Sequence, residues 1–234
     1  MCRRETMGDV TALIPRPRAG VAPGAVHVPG WLTEDEQRDL VTACRDWARP
    51  PAGMRATRLP TGGVMSVQTV CLGWHWSPYR YSRTADDGDG APVKPFPGWL
   101  AGLGRRAVAD AYGDQDAASA YQDAASAYQP DVALVNFYDE KARMGMHADR
   151  EERSPAPVVS LSLGATCVFR FGNTQSRNRP WTDVELESGD LFVFGGPSRL
   201  AHHGVPRTLA GTGRPGIGLP SGRLNITLRE SGIG

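Results

Sequence analysis

The strongest constraint on the fold lies after Pro130, where short β-favouring runs alternate with turn residues. They are Val132 to Tyr138, Val158 to Leu163, Cys167 to Phe171, Val184 to Leu186, Leu191 to Phe194, His202 to Pro206 and Arg223 to Leu228. Seven short strands in about 100 residues predict a sandwich, barrel or jelly roll. Two helical patterns precede them. Thr33 and Glu36 form a capping box ahead of Leu40, Val41, Cys44, Trp47 and Ala48, and Pro50-Pro51 stops the run. After Pro97 a stripe of Trp99, Leu100, Leu103, Val108, Ala111 and Tyr112 ends at Gly113. The expected class is α+β, mainly β, with N-terminal helices against a β core.

At 234 residues the chain reads as one domain over 25–234, after a loosely ordered lead-in over 1–24 that is rich in Arg, Pro and Gly. The loop Thr84 to Pro97 has no apolar periodicity to order it. Asp116 to Gln122 is repeated unchanged as Asp123 to Gln129, a pair too short for a solenoid. Cys2, Cys44, Cys71 and Cys167 are too far apart for a C-x-x-C site. No apolar run is long enough to span a bilayer and no secretory signal is evident, so a cytoplasmic protein with no membrane partner is expected. Net charge is +1, but unevenly spread: Met54 to Arg83 carries Arg55, Arg58, Arg80 and Arg83 with no acid, and Lys141 to Arg179 holds seven basic residues against three acids. Such segments suit phosphates, although scattered solvated arginines would look the same.

Candidate chemistry begins at His147-Ala-Asp149. On an extended segment the two side chains leave the same face. By itself the pair reads more readily as a surface turn. His203, at the end of a predicted strand, supplies a third donor, and two histidines with one carboxylate form the facial triad of non-haem Fe(II) oxygenases. His202 beside it would point the opposite way. Further along, Arg223, Asn225, Thr227 and Arg229 alternate with Leu224, Ile226 and Leu228. On an exterior strand this is an ordinary half-buried pattern. Inside a barrel it gathers two guanidiniums and an amide that need an anion, and a small dicarboxylate would answer them. Asn136 and Tyr138 alternate in the same way.

Taken together, these pieces resemble the AlkB family of Fe(II)- and 2-oxoglutarate-dependent dioxygenases, nearest its bacterial nucleic-acid repair members. The matching stretches are Asn136-Phe-Tyr138, His147-Ala-Asp149, Val159-Ser-Leu-Ser-Leu-Gly164, Gly189-Asp190, Phe194-Gly-Gly196, Ser198-Arg-Leu200, His203-Gly204 and Arg223-x-Asn225-x-Thr227-x-Arg229, with Met65-Ser-Val67 and Leu72-Gly-Trp74 upstream. The resemblance implies a double-stranded β-helix (jelly-roll) core over about 130–230. In it His147, Asp149 and His203 hold iron, and Asn136, Tyr138, Arg223, Asn225 and Arg229 hold 2-oxoglutarate. It further implies a nucleotide-recognition lid over about 54–83, with Trp74, Tyr79, Tyr81, Glu151 and Arg177 toward the substrate. Glu151 stands where those members place an aspartate. With O2 as co-substrate, the implied activity is oxidative demethylation of alkylated bases of the 1-methyladenine and 3-methylcytosine type in DNA, possibly also in RNA, by a monomeric protein. The rival expectations are a same-fold oxygenase for a metabolite or protein side chain, and a non-catalytic nucleic-acid-binding module.

Overall fold

The computed structural model describes residues 15–113 and 127–233. Its framework is a large antiparallel sheet in which β1 (Ala19–Ala22), β2 (Ala25–Val28), β12 (Leu191–Phe194), β9 (Val158–Gly164), β14 (Arg223–Arg229), β7 (Val132–Tyr138), β4 (Val64–Leu72) and β3 (Arg55–Arg58) lie side by side in that order. A smaller sheet is ordered β11 (Thr182–Leu186), β10 (Cys167–Phe171), β13 (His203–Thr208) and β8 (Met144–His147). β5 (His75–Ser77) and β6 (Arg80–Ser82) form a separate hairpin.

Helices α1 (Glu34–Ala48) and α2 (Gly98–Tyr112) cover the outer face of the large sheet. The expected capping box starts α1: Glu36 N donates to Thr33 Oγ1 at 3.2 Å and Thr33 N to Glu36 Oε2 at 2.9 Å. Leu40, Val41 and Cys44 of α1, with Val108 and Ala111 of α2, share one apolar cluster with Leu224, Ile226 and Leu228. The aliphatic side of β14 therefore lies under the helices, and Arg223, Asn225, Thr227 and Arg229 face the space between the two sheets. Of the two readings that the alternation allowed, the interior one holds. A second cluster between the sheets includes Tyr138, Cys167, Phe169, Phe171, Phe192 and Phe194.

Three expectations need correction or limits. The lead-in is not loose as far as residue 24: β1 pairs with β2, and Arg16 reaches buried Asp190 at 2.7–2.8 Å. The loop after Thr84 is ordered, with Ala85 buried and polar side chains anchoring it. Asp89 accepts from the Ala52 amide at 2.9 Å, and Asp87 meets His75 Nε2 at 2.7 Å and also binds Arg55. Polar anchoring of this kind leaves no hydrophobic period to read. Most of the duplicated heptads lie outside the described residues, apart from the end of the second copy, where buried Tyr128 donates to the Leu228 carbonyl at 2.9 Å. No described helix is long and apolar enough to cross a membrane.

Candidate metal and co-substrate site

β8 brings the first histidine into place, a strand the turn-rich sequence around it conceals. In the pairing of β8 with β13, His147 sits opposite His203. The strands approach so closely that a Cβ on Gly204 would lie 2.7 Å from the Met144 carbonyl oxygen, so glycine is required beside the second histidine. The imidazole rings are 4.5 Å apart, and one donor atom each from His147, Asp149 and His203 falls within 4.8 Å of the others. His147 Nε2 is 3.6 Å from Asp149 Oδ1 and His203 Nε2 is 3.7 Å from Oδ2, beyond hydrogen-bond range.

Each imidazole is oriented from behind. His147 Nδ1 meets the Gly145 carbonyl at 2.9 Å and His203 Nδ1 meets that of Ala201 at 3.0 Å. Donation from Nδ1 leaves both Nε2 atoms as lone-pair donors toward Asp149. Burial, with His147 alongside, pushes the His203 pKa down to about 4 and keeps the ring neutral. Burial works to raise the Asp149 pKa, but the Arg229 guanidinium holds it well below the usual carboxylate range. Arg229 Nη2 lies 2.8 Å from Asp149 Oδ2 without forming a hydrogen bond, and that buried oxygen has no other bonding partner. A buried carboxylate with one oxygen free of hydrogen bonds, facing two imidazole lone pairs, is a donor set that would hold a divalent iron. His202 turns away, as expected, with Nδ1 at 3.0 Å from the Asn173 carbonyl.

Beside the triad is a cavity of about 50 Å³ whose lining includes His147, His203, Asn136, Tyr138, Arg223 and Asn225. Arg223, 1% exposed, donates to Ser162 Oγ at 2.8 Å and to the Leu186 carbonyl at 3.3 Å; its Nε is unbonded. No carboxylate among the described residues forms an ion pair with it. A buried guanidinium in that condition calls for an anion. Asn225 Nδ2 donates to Ser160 Oγ at 2.7 Å, Thr69 Oγ1 to Asn136 Oδ1 at 2.8 Å, and Asn136 lies opposite Asn225 in the sheet. Burial pushes the Tyr138 phenol up, so it remains a neutral donor. These residues fit a diacid with one carboxylate at Arg223 and the other end toward the triad. Arg229 also faces the cavity, but its charge is already matched by Asp149 and by Glu152, 2.9 Å away.

The five residues expected against substrate do not converge in the same way, and none lines this cavity. Trp74 is part-buried; its Nε1 donates to Asp131 at 3.1 Å and the Arg83 guanidinium covers its ring at 3.4 Å. Tyr79 is 80% exposed at the tip of the β5–β6 turn. Tyr81 departs from the expected role: its hydroxyl donates to Glu152 and its ring packs with Trp74 and Trp76 against Val132 and Leu134. Glu151 accepts from the Arg150 amide at 3.2 Å, and Arg177 is exposed on the loop between β10 and β11. Sequence reading missed Glu152 and the part of Arg199, a buried residue that donates to Glu152 at 3.0 Å and to the Asp149 carbonyl at 3.1 Å. The available signal was two charged residues close to recognisable motifs, Glu152 three positions after Asp149 and Arg199 within the Ser198-Arg-Leu200 stretch.

Comparison with known proteins agrees with this geometry. Residues 24–229 match the family model described as the 2OG-Fe(II) oxygenase superfamily. An AlkB homolog of Caulobacter vibrioides, named as an alpha-ketoglutarate-dependent dioxygenase, is 37% identical over 90% of this chain and 89% of its own length. ALKBH1D of Arabidopsis thaliana, named as a DNA N(6)-methyladenine demethylase, is 33% identical over 90% of this chain; the chain spans about half the length of that relative, 50%. Among solved structures, OsALKBH1 superposes with a TM-score of 0.78 at 30% identity, covering 92% of this chain and 100% of the other.

Proposed function

The chain belongs to the 2OG-Fe(II) oxygenase superfamily, and from that premise we propose that it removes N-methyl groups oxidatively from alkylated bases in DNA, with RNA as a further substrate. One observation carries the reading: two histidines of a His-Asp-His triad line a cavity with buried Arg223, with which no carboxylate among the described residues forms an ion pair. His147, Asp149 and His203 would hold Fe(II), while Arg223, Asn225, Asn136 and Tyr138 would hold 2-oxoglutarate. The iron, when bound, supplies the redox chemistry by which O2 and 2-oxoglutarate oxidise an N-methyl carbon, yielding succinate, CO2 and, once the hydroxymethyl group leaves the nitrogen, formaldehyde. The chain's own residues do the rest. Arg223 fixes the orientation of the diacid, the Gly145 and Ala201 carbonyls hold each imidazole in its lone-pair-donating form, and the Phe169 and Phe194 rings around His203 exclude water.

Nucleic acid is supported as the substrate by the names of the relatives and by the surface above the site. Tyr79 stands out at the lid tip, next to exposed Arg80, with Arg83 nearby. An exposed aromatic among guanidiniums suits a base stacked beside phosphates, and a target base must leave its stack to reach an enclosed metal. The protein is read as a cytoplasmic monomer.

The test is mass spectrometry of methylated single- and double-stranded DNA and RNA after incubation with Fe(II), 2-oxoglutarate and ascorbate. A loss of about 14 mass units per methyl, the mass of one CH2, is the expected result. Methylated strands that neither bind nor lose methyl would overturn the nucleic-acid reading. Full activity in His147→Ala would overturn the ligand set.

A further inference from the structure

We propose that Tyr81 is a positioning residue that couples the β5–β6 lid to the metal and diacid end of the pocket through a buried cluster of four charges. The inference rests on the iron and 2-oxoglutarate part of the reading above and not on the identity of the nucleic acid.

The cluster is closed. Arg229 Nη1 donates to Glu152 Oε1 at 2.9 Å, and its Nη2 stands 2.8 Å from Asp149 Oδ2. Arg199 Nη2 donates to Glu152 Oε2 at 3.0 Å, its Nη1 to the Asp149 carbonyl at 3.1 Å and its Nε to the Ala156 carbonyl at 2.8 Å. One guanidinium thus holds the side chain of the metal-facing aspartate, the other holds its backbone, and both converge on a carboxylate with no exposed surface. Two cations balance two anions. The Tyr81 hydroxyl joins this cluster from the lid, donating to Glu152 and lying 3.4 Å from Arg229 Nη1. Burial keeps the phenol protonated, so it enters as a neutral donor and its loss leaves the charge balance intact.

The hairpin's other strand is anchored elsewhere. Arg55 donates to the Trp76 carbonyl at 2.7 Å and to the Thr69 carbonyl at 3.0 Å, and it pairs with Asp87, which also meets His75. β5 is therefore fastened to the sheet edge without reference to the pocket, while β6 is fastened to the residues that face the metal. The turn between them carries Tyr79 at φ +70°, so a shift at β6 redirects the residue at the tip. Ligands that draw on Asp149 and Arg229 bear on Glu152 and, through it, on Tyr81. By linkage, a lid held against a substrate bears equally on the affinity for 2-oxoglutarate.

Hydrogen exchange of the full chain loaded with Mn(II), a stand-in for iron that does not turn over, tests this with and without 2-oxoglutarate. In the wild type, 2-oxoglutarate should slow exchange over residues 75–82 by about tenfold. In Tyr81→Phe, which keeps the ring, the slowing should fall below about twofold although calorimetry still shows 2-oxoglutarate binding. Tyr81→Met also lacks the hydroxyl and replaces the Phe variant if that does not fold. A merely structural Tyr81 would loosen the lid equally in both states and leave the ratio unchanged. The coupling is overturned if 2-oxoglutarate leaves wild-type lid exchange unaltered, or if the variant shows the full wild-type slowing. No nucleic acid is present, so failure of the substrate reading would appear separately in the demethylation assay.

Discussion

Among the described residues two buried aspartates meet histidines, and the hydrogen bonds around each set them apart. Asp190 accepts from both Nη atoms of Arg16 at 2.7 and 2.8 Å and from the Gly30 and Glu187 amides at 2.8 and 2.9 Å, and it meets His27 Nε2 at 2.9 Å. Both of its oxygens are satisfied, and it ties the N-terminal segment and β2 to the turn before β12. Asp149 is just as deeply placed, yet Oδ2 makes no hydrogen bond, has only the Arg229 guanidinium beside it at 2.8 Å, and the imidazole nitrogens stay 3.6 Å from Oδ1 and 3.7 Å from Oδ2. A buried His–Asp pair whose donors saturate it is a clasp, and one left open is a candidate ligand set.

Substitution at the two aspartates should separate these roles most sharply. Asp149→Asn is expected to abolish turnover and to lower Mn(II) affinity by at least about 100-fold, measured by calorimetry. The next largest effect contrasts two arginines on one strand. Arg223→Met should raise the KM for 2-oxoglutarate by about 100-fold and raise the unfolding midpoint of the ligand-free protein, because an unpaired buried charge is removed. Arg229→Met should cost the ligand-free protein about 3–5 kcal/mol in urea unfolding by stranding Asp149 and Glu152.

Asp190→Asn should lower stability by about 2–3 kcal/mol and leave turnover per folded molecule within about twofold of wild type. Its pH dependence sharpens the point. Burial opposes ionisation of Asp190, but His27, Arg16 and the two amides bring its pKa down to about 2 from an ordinary 3.8. The stabilisation is therefore fully present above about pH 4 and is lost as pH falls toward 2. Over that interval the wild type should lose about 2 kcal/mol more than Asp190→Asn. The smallest effect belongs to the lid: Tyr79→Ala should raise the KM for a methylated single strand by about tenfold, the contribution of one stacked base.

Much of the core was legible in advance because alternation with period 2 is local. Val132–Tyr138, Cys167–Phe171 and Leu191–Phe194 have the expected bounds. β8 was missed because Met144–His147 is short and carries no β-branched residue. β1 escaped notice inside an Arg- and Pro-rich stretch whose order comes from pairing with β2 and from the Asp190 clasp. In the site, the three candidate metal ligands could be read from residue type and spacing, with family resemblance narrowing the choice. The lid was less legible: Tyr79 and Tyr81 are two residues apart on one short hairpin, yet one is exposed and the other is bonded to Glu152.

The sequence by itself determined a β-rich domain with two buttressing helices, a set of metal-binding side chains and a strand with one polar and one aliphatic face, since each follows from the periodicity or chemistry of neighbouring residues. Only the tertiary structure decided which face of that strand turned inward, that among the described residues Arg229 and not Arg223 pairs with carboxylates, and that Tyr81 joins Glu152 across 71 residues and approaches Arg229 across 148. The physical reason is that a buried charge takes its role from the groups that fold around it, and those come from parts of the chain that no local pattern connects.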